Sequence, residues 1–171
     1  MTDRLFLLQM AGEPGSGKSA LARVIGRCTG AVVIDKDVLK TAALEAGAND
    51  QLAGGIAYEA FFALADHLLG QGLSVILDSP SFFETIPAKG AAIAETRCVP
   101  YYFIECICAD HDELARRLRE RPRLRSNPGD EALDGGGETI APPGAYLRID
   151  TTQPLERCLA LALDYAGVPS S

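Results

Sequence analysis

Gly12-Glu13-Pro14-Gly15-Ser16-Gly17-Lys18-Ser19 fits G-x-x-x-x-G-K-[ST] at every position, the spacing of a loop that wraps phosphate. Glycine lets the backbone turn its N–H groups inward toward phosphate oxygens. The helix that such a loop opens adds its partial positive charge. Lys18 then reaches the β- and γ-phosphates, and the Ser19 hydroxyl joins Mg²⁺. Gly12, Gly15, Ser16 and Gly17 supply the rest of the cradle. A dinucleotide fingerprint competes, because Gly15-Ser16-Gly17-Lys18-Ser19-Ala20 fits G-x-G-x-x-A and Asp35 follows about twenty residues on. That fingerprint wants its first glycine in a tight turn at the strand end and has no use for a Lys-Ser pair. The phosphate loop prevails.

Other residues with chemistry to offer come next along the chain. Ile34-Asp35-Lys36-Asp37-Val38-Leu39-Lys40 sets two carboxylates just past a second strand. A carboxylate there can accept a hydroxyl proton as the oxygen attacks phosphorus, and Asp37 is the candidate. The alternative is that Asp37 only N-caps the helix after it. Val75-Ile76-Leu77-Asp78 ends in one acid with no Glu beside it, unlike the Asp-Glu pair of a hydrolysing motor. No N-K-x-D motif is present, which argues against a GTPase switch. Arg116, Arg117, Arg119, Arg121, Arg123 and Arg125 crowd into ten positions. Arg117 and Arg121, four apart, share a helix face suited to phosphate oxygens. Arg116 and Arg119 suit a solvated face. His67 and His111 sit in helical patterns and offer no catalytic arrangement.

On these motifs, together with Glu113-Leu114-Ala115-Arg116-Arg117-Leu118-Arg119-Glu120-Arg121, the chain resembles the small P-loop kinases. These are the group that holds the kinase domain of polynucleotide 5′-kinases, chloramphenicol phosphotransferase and gluconate kinase. The resemblance runs in order over nearly the whole chain. It implies that Asp37 matches the catalytic base and that Lys40 stands where an arginine often faces the acceptor. It also implies that Asp78 lies near the metal or the acceptor, and that Arg117 and Arg121 are lid arginines on the phosphates of ATP. The sequence departs from the group at Pro80 and Phe82-Phe83, which replace a polar stretch after the third-strand acid.

The elements that must position these residues are legible as alternating patterns. Buried strands are expected at Leu5–Met10, Ala31–Ile34, Leu73–Leu77, Tyr101–Cys108 and Ala145–Ile149. Helices are expected at Lys18–Cys28, Ala57–Leu69, Ile86–Thr96, from an Asp110 cap to about Glu120, and at Leu155–Tyr165. Glu113 completes a capping-box-like pattern with Asp110. Continuous apolar strands separated by helices predict an α/β fold, a five-stranded parallel sheet with helices on both faces. Ligands in such sheets lie at the carboxyl ends of the strands. Residues 122–144, rich in Pro and Gly, read as a long loop, so a lid is expected over about 117–144 of a single domain spanning 1–171.

Composition narrows the partners. The net charge is −7, which disfavours nucleic acid. Five cysteines without a CxxC pair read as buried thiols and place the chain in a reducing cytoplasm. No stretch reads as a membrane span. The expectation is an ATP- and Mg²⁺-dependent kinase acting on a small-molecule hydroxyl, with Phe61, Phe62, Phe82 and Phe83 as candidate acceptor lining or plain core. The oligomeric state and the choice between ATP and GTP stay open. A polynucleotide 5′-hydroxyl kinase and a non-catalytic ATP-binding regulatory module are the alternatives.

Overall fold

The structure, a computed structural model, describes residues 5–120, 124–126 and 138–168. Five strands, β1 (Leu7–Ala11), β2 (Val32–Asp35), β3 (Val75–Asp78), β4 (Tyr101–Ile107) and β5 (Leu147–Asp150), form one sheet. Its order is β2-β3-β1-β4-β5, and every pairing is parallel. The helices are α1 (Lys18–Thr29), α2 (Lys36–Glu45), α3 (Asp50–Gly70), α4 (Thr85–Thr96), α5 (His111–Glu120) and α6 (Leu155–Tyr165).

Both faces of the sheet are covered, which is why its strands read as unbroken apolar runs. Leu8, Met10, Ile76, Ile104 and Ile149 meet Leu21 and Ile25 of α1 and Ala162 of α6 on one face. On the other, Leu7, Ile34, Val75 and Leu77 meet Phe61 and Ala65 of α3 and Ile86 of α4. Adjacent residues of one strand thus serve different cores, as the two-residue strand period requires. The chain leaves β1 for the β2 edge, returns to β3, and only then crosses to β4 on the other side of β1. Strand order reverses around β1, so its carboxyl end opens the crevice where ligands of such sheets bind.

Expected strands and observed ones differ by one or two residues at their ends. The larger difference is α3, which starts at Asp50 rather than Ala57 because Asn49 caps it, accepting from Leu52 N at 2.9 Å. Length and hydropathy alone make α3 apolar enough to cross a membrane, contrary to the expectation that no stretch reads so. Its Phe61, Phe62, Ala65 and Leu69 instead bury against the sheet side, while Glu59 and Asp66 hold ion pairs with Lys89 and Arg97. Phe61 and Phe62 are therefore core, not acceptor lining. Cys106, Cys108 and Cys158 are buried as expected, whereas Cys28 and Cys98 are exposed. The described parts of the expected lid loop, 124–126 and 138–144, carry neither helix nor strand.

Candidate nucleotide and phosphoryl-transfer site

The phosphate loop spans the gap between the end of β1 and the start of α1. Gly12 lies at φ +134°, and a Cβ there would collide with the carbonyl oxygen of Cys106 in the neighbouring strand. Gly17 is the N-cap of α1 in the left-handed region at φ 85°. It has no side chain to cap the helix, and no acid occupies the first turn. The opening amides of α1 thus face the loop without a side-chain acceptor, the arrangement that favours an anion. Ser16 N closes the turn on Glu13 O at 3.1 Å. Lys18 and Ser16 are buried, and Ser16 Oγ has no partner among the described residues.

Two strand ends gather their acids beside this loop. Asp78 ends β3 flanked by Asp35 on β2 and Met10 on β1. It is 2% exposed. Burial pushes its carboxyl above the usual range, as do the negative charges of Asp35 and Asp37, while Lys18 and a hydrogen bond from Ser19 pull the other way. Asp78 Oδ1 has no partner among the described residues. An ionisable oxygen left bare in a buried position, next to the Ser19 hydroxyl, fits a hard divalent cation. No trio of His, Cys, Asp or Glu capable of holding a metal occurs among the described residues. Mg²⁺ usually takes only one or two protein oxygens and shares the rest with phosphate and water, so Ser19 and Asp78 suffice.

Asp35, not Asp37, caps α2: its Oδ1 accepts from Asp37 N at 2.9 Å. Asp37 lies inside the first turn, so the capping role expected as its alternative belongs to its neighbour. Its carboxylate pairs with Lys36 at 2.7 Å. Tyr58 of α3 is close, its hydroxyl pushed up to about 12 by burial and by the Asp37 charge. That hydroxyl donates to Pro80 O at 3.4 Å, and Lys36 Nζ stands 5.6 Å from the ring centre. Lys40 pairs with Asp50 at 2.7 Å. Segments of the expected lid reach the same side. Ser126 donates to Asp37 O at 3.0 Å and accepts from Thr41 at 2.9 Å. Ile140 exchanges two hydrogen bonds with Ser81, at 2.6 and 2.7 Å.

Helix α5 lies over the loop, with Leu114 and Leu118 against Gly15. Arg117 donates through Nε to Glu113 and through both terminal nitrogens to Thr151, at 2.7–2.8 Å. Thr151 Oγ1 in turn reaches Ser16 O at 2.7 Å. Glu113 therefore holds Arg116 and Arg117 rather than closing a capping box, and these two arginines pull its carboxyl down to about 2. Arg116 spends itself on Glu113 and Glu120, and Arg119 is exposed, as a solvated face predicts. Arg121 and Arg123 lie outside the described residues, and Arg125 is exposed.

Beside the loop a cavity of about 400 Å³ opens between α5, α6 and the segment after β5. Gly17, Leu21, Arg117, Thr151, Gln153 and Cys158 line it. The sequence reading missed Thr151 and Gln153. Their one signal is position, since they directly follow the carboxyl end of a strand in a sheet that binds ligands at such ends.

A family model described as an AAA domain, AAA_33, matches residues 7–143. No curated protein sequence matches. Among solved structures, an unliganded sugar kinase from Janibacter sp. is 18% identical with a TM-score of 0.70, covering 96% of this chain and 95% of that one. An APS kinase from Mycobacterium tuberculosis, in complex with AMPPNP and APS, is 16% identical at 0.69, covering 96% and 98%. A gluconokinase from Sinorhizobium meliloti is 18% identical at 0.64, covering 96% and 93%. At these identities the likeness is one of fold, and it is the fold of P-loop kinases.

Proposed function

The chain belongs to the AAA_33 family of AAA domains, and on that premise we propose that it is an ATP- and Mg²⁺-dependent kinase that transfers the γ-phosphoryl group to a hydroxyl of a small molecule. One observation carries the reading. The buried Asp78, bound by Ser19 and neighboured by Lys18, shares the crevice with a second carboxylate, Asp37, in the first turn of α2 just past the adjoining strand. A site for phosphate and metal thus adjoins a group able to take a proton.

Gly12, Gly15, Ser16 and Gly17 bind the triphosphate through backbone amides, and Lys18 neutralises charge on the β- and γ-phosphates. Ser19 and Asp78 would hold Mg²⁺, which when bound would supply further neutralisation of the phosphate charge. Asp37, steadied by Lys36, accepts the acceptor's hydroxyl proton as the new O–P bond forms. The bond from γ-phosphorus to the bridging oxygen breaks, and that oxygen leaves with the diphosphate. Arg117 holds the loop through Thr151, and Arg121 is assigned the phosphates as the closing arginine. Lys40 and the stretch from Pro80 to Phe83 flank the acceptor. Excluding water from this crevice favours transfer over hydrolysis.

Labelled γ-phosphate transfer from Mg·ATP to sugars, nucleosides, hydroxylated antibiotics and a 5′-hydroxyl oligonucleotide tests the reading. Asp37→Asn is expected to lower transfer by at least about 100-fold while ATP affinity stays within a factor of about two. Transfer indifferent to Asp37→Asn would remove the proposed base. ATP binding with no transfer to any acceptor would favour the regulatory module.

A further inference from the structure

Helix α3 carries apolar residues on its outer face as well as its inner one, and only 33% of its most apolar stretch is buried inside the chain. A helix of that composition is ordinarily covered all round. Phe61, Phe62, Ala65 and Leu69 account for the inner face. On the outer face Leu52, Ile56 and Leu64 stay 55%, 45% and 39% exposed. Gly55 lies there too, and a Cβ on it would meet nothing within 4 Å. Glycine inside a helix weakens it, and no neighbour within the chain requires one at this position.

Two ridges at i, i+4 spacing run side by side along that face. One holds Leu52, Ile56, Ala60 and Leu64, the other Gly55, Glu59, Ala63 and His67. Read in opposite directions, their sizes are reciprocal. Ile56 falls opposite Ala63, Leu64 opposite Gly55, and Ala60 opposite Glu59, so each of these pairs joins a bulky residue to a small one. Leu52 falls opposite the ring of His67. A contact about a two-fold axis sets residue i on j and j on i, so every pair forms twice. Glu59 brings its own cation, Lys89 at 2.7 Å, and carries no unpaired charge into such a contact. A lipid surface suits the face poorly. Interfacial helices set Lys and Arg in their polar face, whereas α3 holds neither and the chain has a net charge of −7.

We infer that the outer face of α3 packs antiparallel on the same face of a second copy, making the protein a two-fold homodimer. Gly55 and Ala63 are the notches that receive Leu64 and Ile56 from the other copy. One helix from each copy makes a small contact, so the dimer depends on concentration. The inference is independent of the kinase reading.

Sedimentation equilibrium on the full chain tests it. At about 100 µM the chain is expected at twice its mass, returning to the monomer on about thousandfold dilution. Gly55→Leu fills a notch while strengthening the isolated helix. It should weaken the dimer by at least about 100-fold, with a melting point in dilute, monomeric solution no lower than that of the unaltered chain. Ala63→Arg should weaken the dimer likewise. Ala160→Arg, the same change at an exposed position of α6, should leave it intact. A monomer over the whole range overturns the inference, and if that monomer pellets with phosphatidylcholine vesicles, a membrane covers the face instead. A dimer that survives both α3 substitutions, or that Ala160→Arg also dissolves, overturns it as well, because another face then joins the copies.

Discussion

Asp78 shows how a site residue can oppose the stability of its own fold. Its carboxyl is 2% exposed, and its proton is held more tightly folded than in the unfolded chain because burial disfavours the charge. A carboxyl with a raised folded pKa stabilises the fold below the ordinary carboxylate range. It loses that contribution as pH climbs through the raised value. At neutral pH the buried carboxyl of Asp78 is thus a burden in the empty protein, relieved only in part by Lys18 and Ser19. Asp78→Asn keeps the shape and removes the charge. The empty variant should melt a few degrees higher at pH 7, since about 1 kcal/mol moves the midpoint by about 2–4 °C in a domain this size. That gain should vanish at pH values below the ordinary carboxylate range. Transfer should meanwhile fall by at least about 100-fold with a weakened Mg²⁺ dependence. A lower melting point at pH 7, measured by calorimetry, would show that Asp78 stabilises the fold and that its burial penalty is offset elsewhere.

Among elements, the link between α5, the segment after β5 and the phosphate loop is the feature with most consequence. Arg117 was legible as a cation on a helix face shared with Arg121, but its guanidinium grips Thr151 and Glu113. Thr151 passes the connection to Ser16 O across 135 residues of sequence. Thr151→Val nearly keeps the volume and removes the hydroxyl's hydrogen bonds with Arg117, Ser16 O and Ile107 O. It should weaken nucleotide binding by about tenfold and lower stability by about 1–2 kcal/mol, because Ser16 O and Arg117 each lose a partner. Titration with nucleotide and denaturant unfolding measure the two effects. Unchanged binding in a destabilised variant would make Thr151 a fold residue alone. The phosphate loop, by contrast, could be read directly because its chemistry is local: fixed glycines, a lysine and a hydroxyl in eight consecutive positions. The strands could be read because both faces are buried and no polar residue interrupts the run for long. Thr151 and Gln153 carry no such pattern, and they reach the cavity wall only when β5 is laid beside β4. The cap of α2 was misplaced for a related reason: the sequence offered Asp37 as the capping alternative, and the backbone gives that role to Asp35.

At the scale of the whole molecule, the reversal of strand order around β1 brings the ends of β1, β2 and β3 into one crevice, with acids gathered on an already acidic protein of net charge −7. The crowding of arginines near α5 looks in the sequence like a basic strip for a polyanion. In the fold, Arg116 and Arg117 are ion-paired with Glu113 and Glu120, so that part of the strip presents little uncompensated charge. Nucleic-acid binding draws its affinity from cations that displace counterions from phosphates, and here Arg116 and Arg117 are already matched on a protein of net charge −7. Mg·ATP and a 5′-hydroxyl oligonucleotide should therefore act differently on the melting point. At a nucleotide concentration of about 100 times its Kd, linkage adds about 2.7 kcal/mol. That corresponds to a rise of roughly 5–10 °C for a domain this size. The oligonucleotide at low salt should leave the midpoint unmoved, because without affinity for the folded state it has nothing to contribute. A rise with the oligonucleotide that collapses as salt is added would reveal a phosphate-binding surface. It would shift the acceptor from a small alcohol to the end of a polynucleotide.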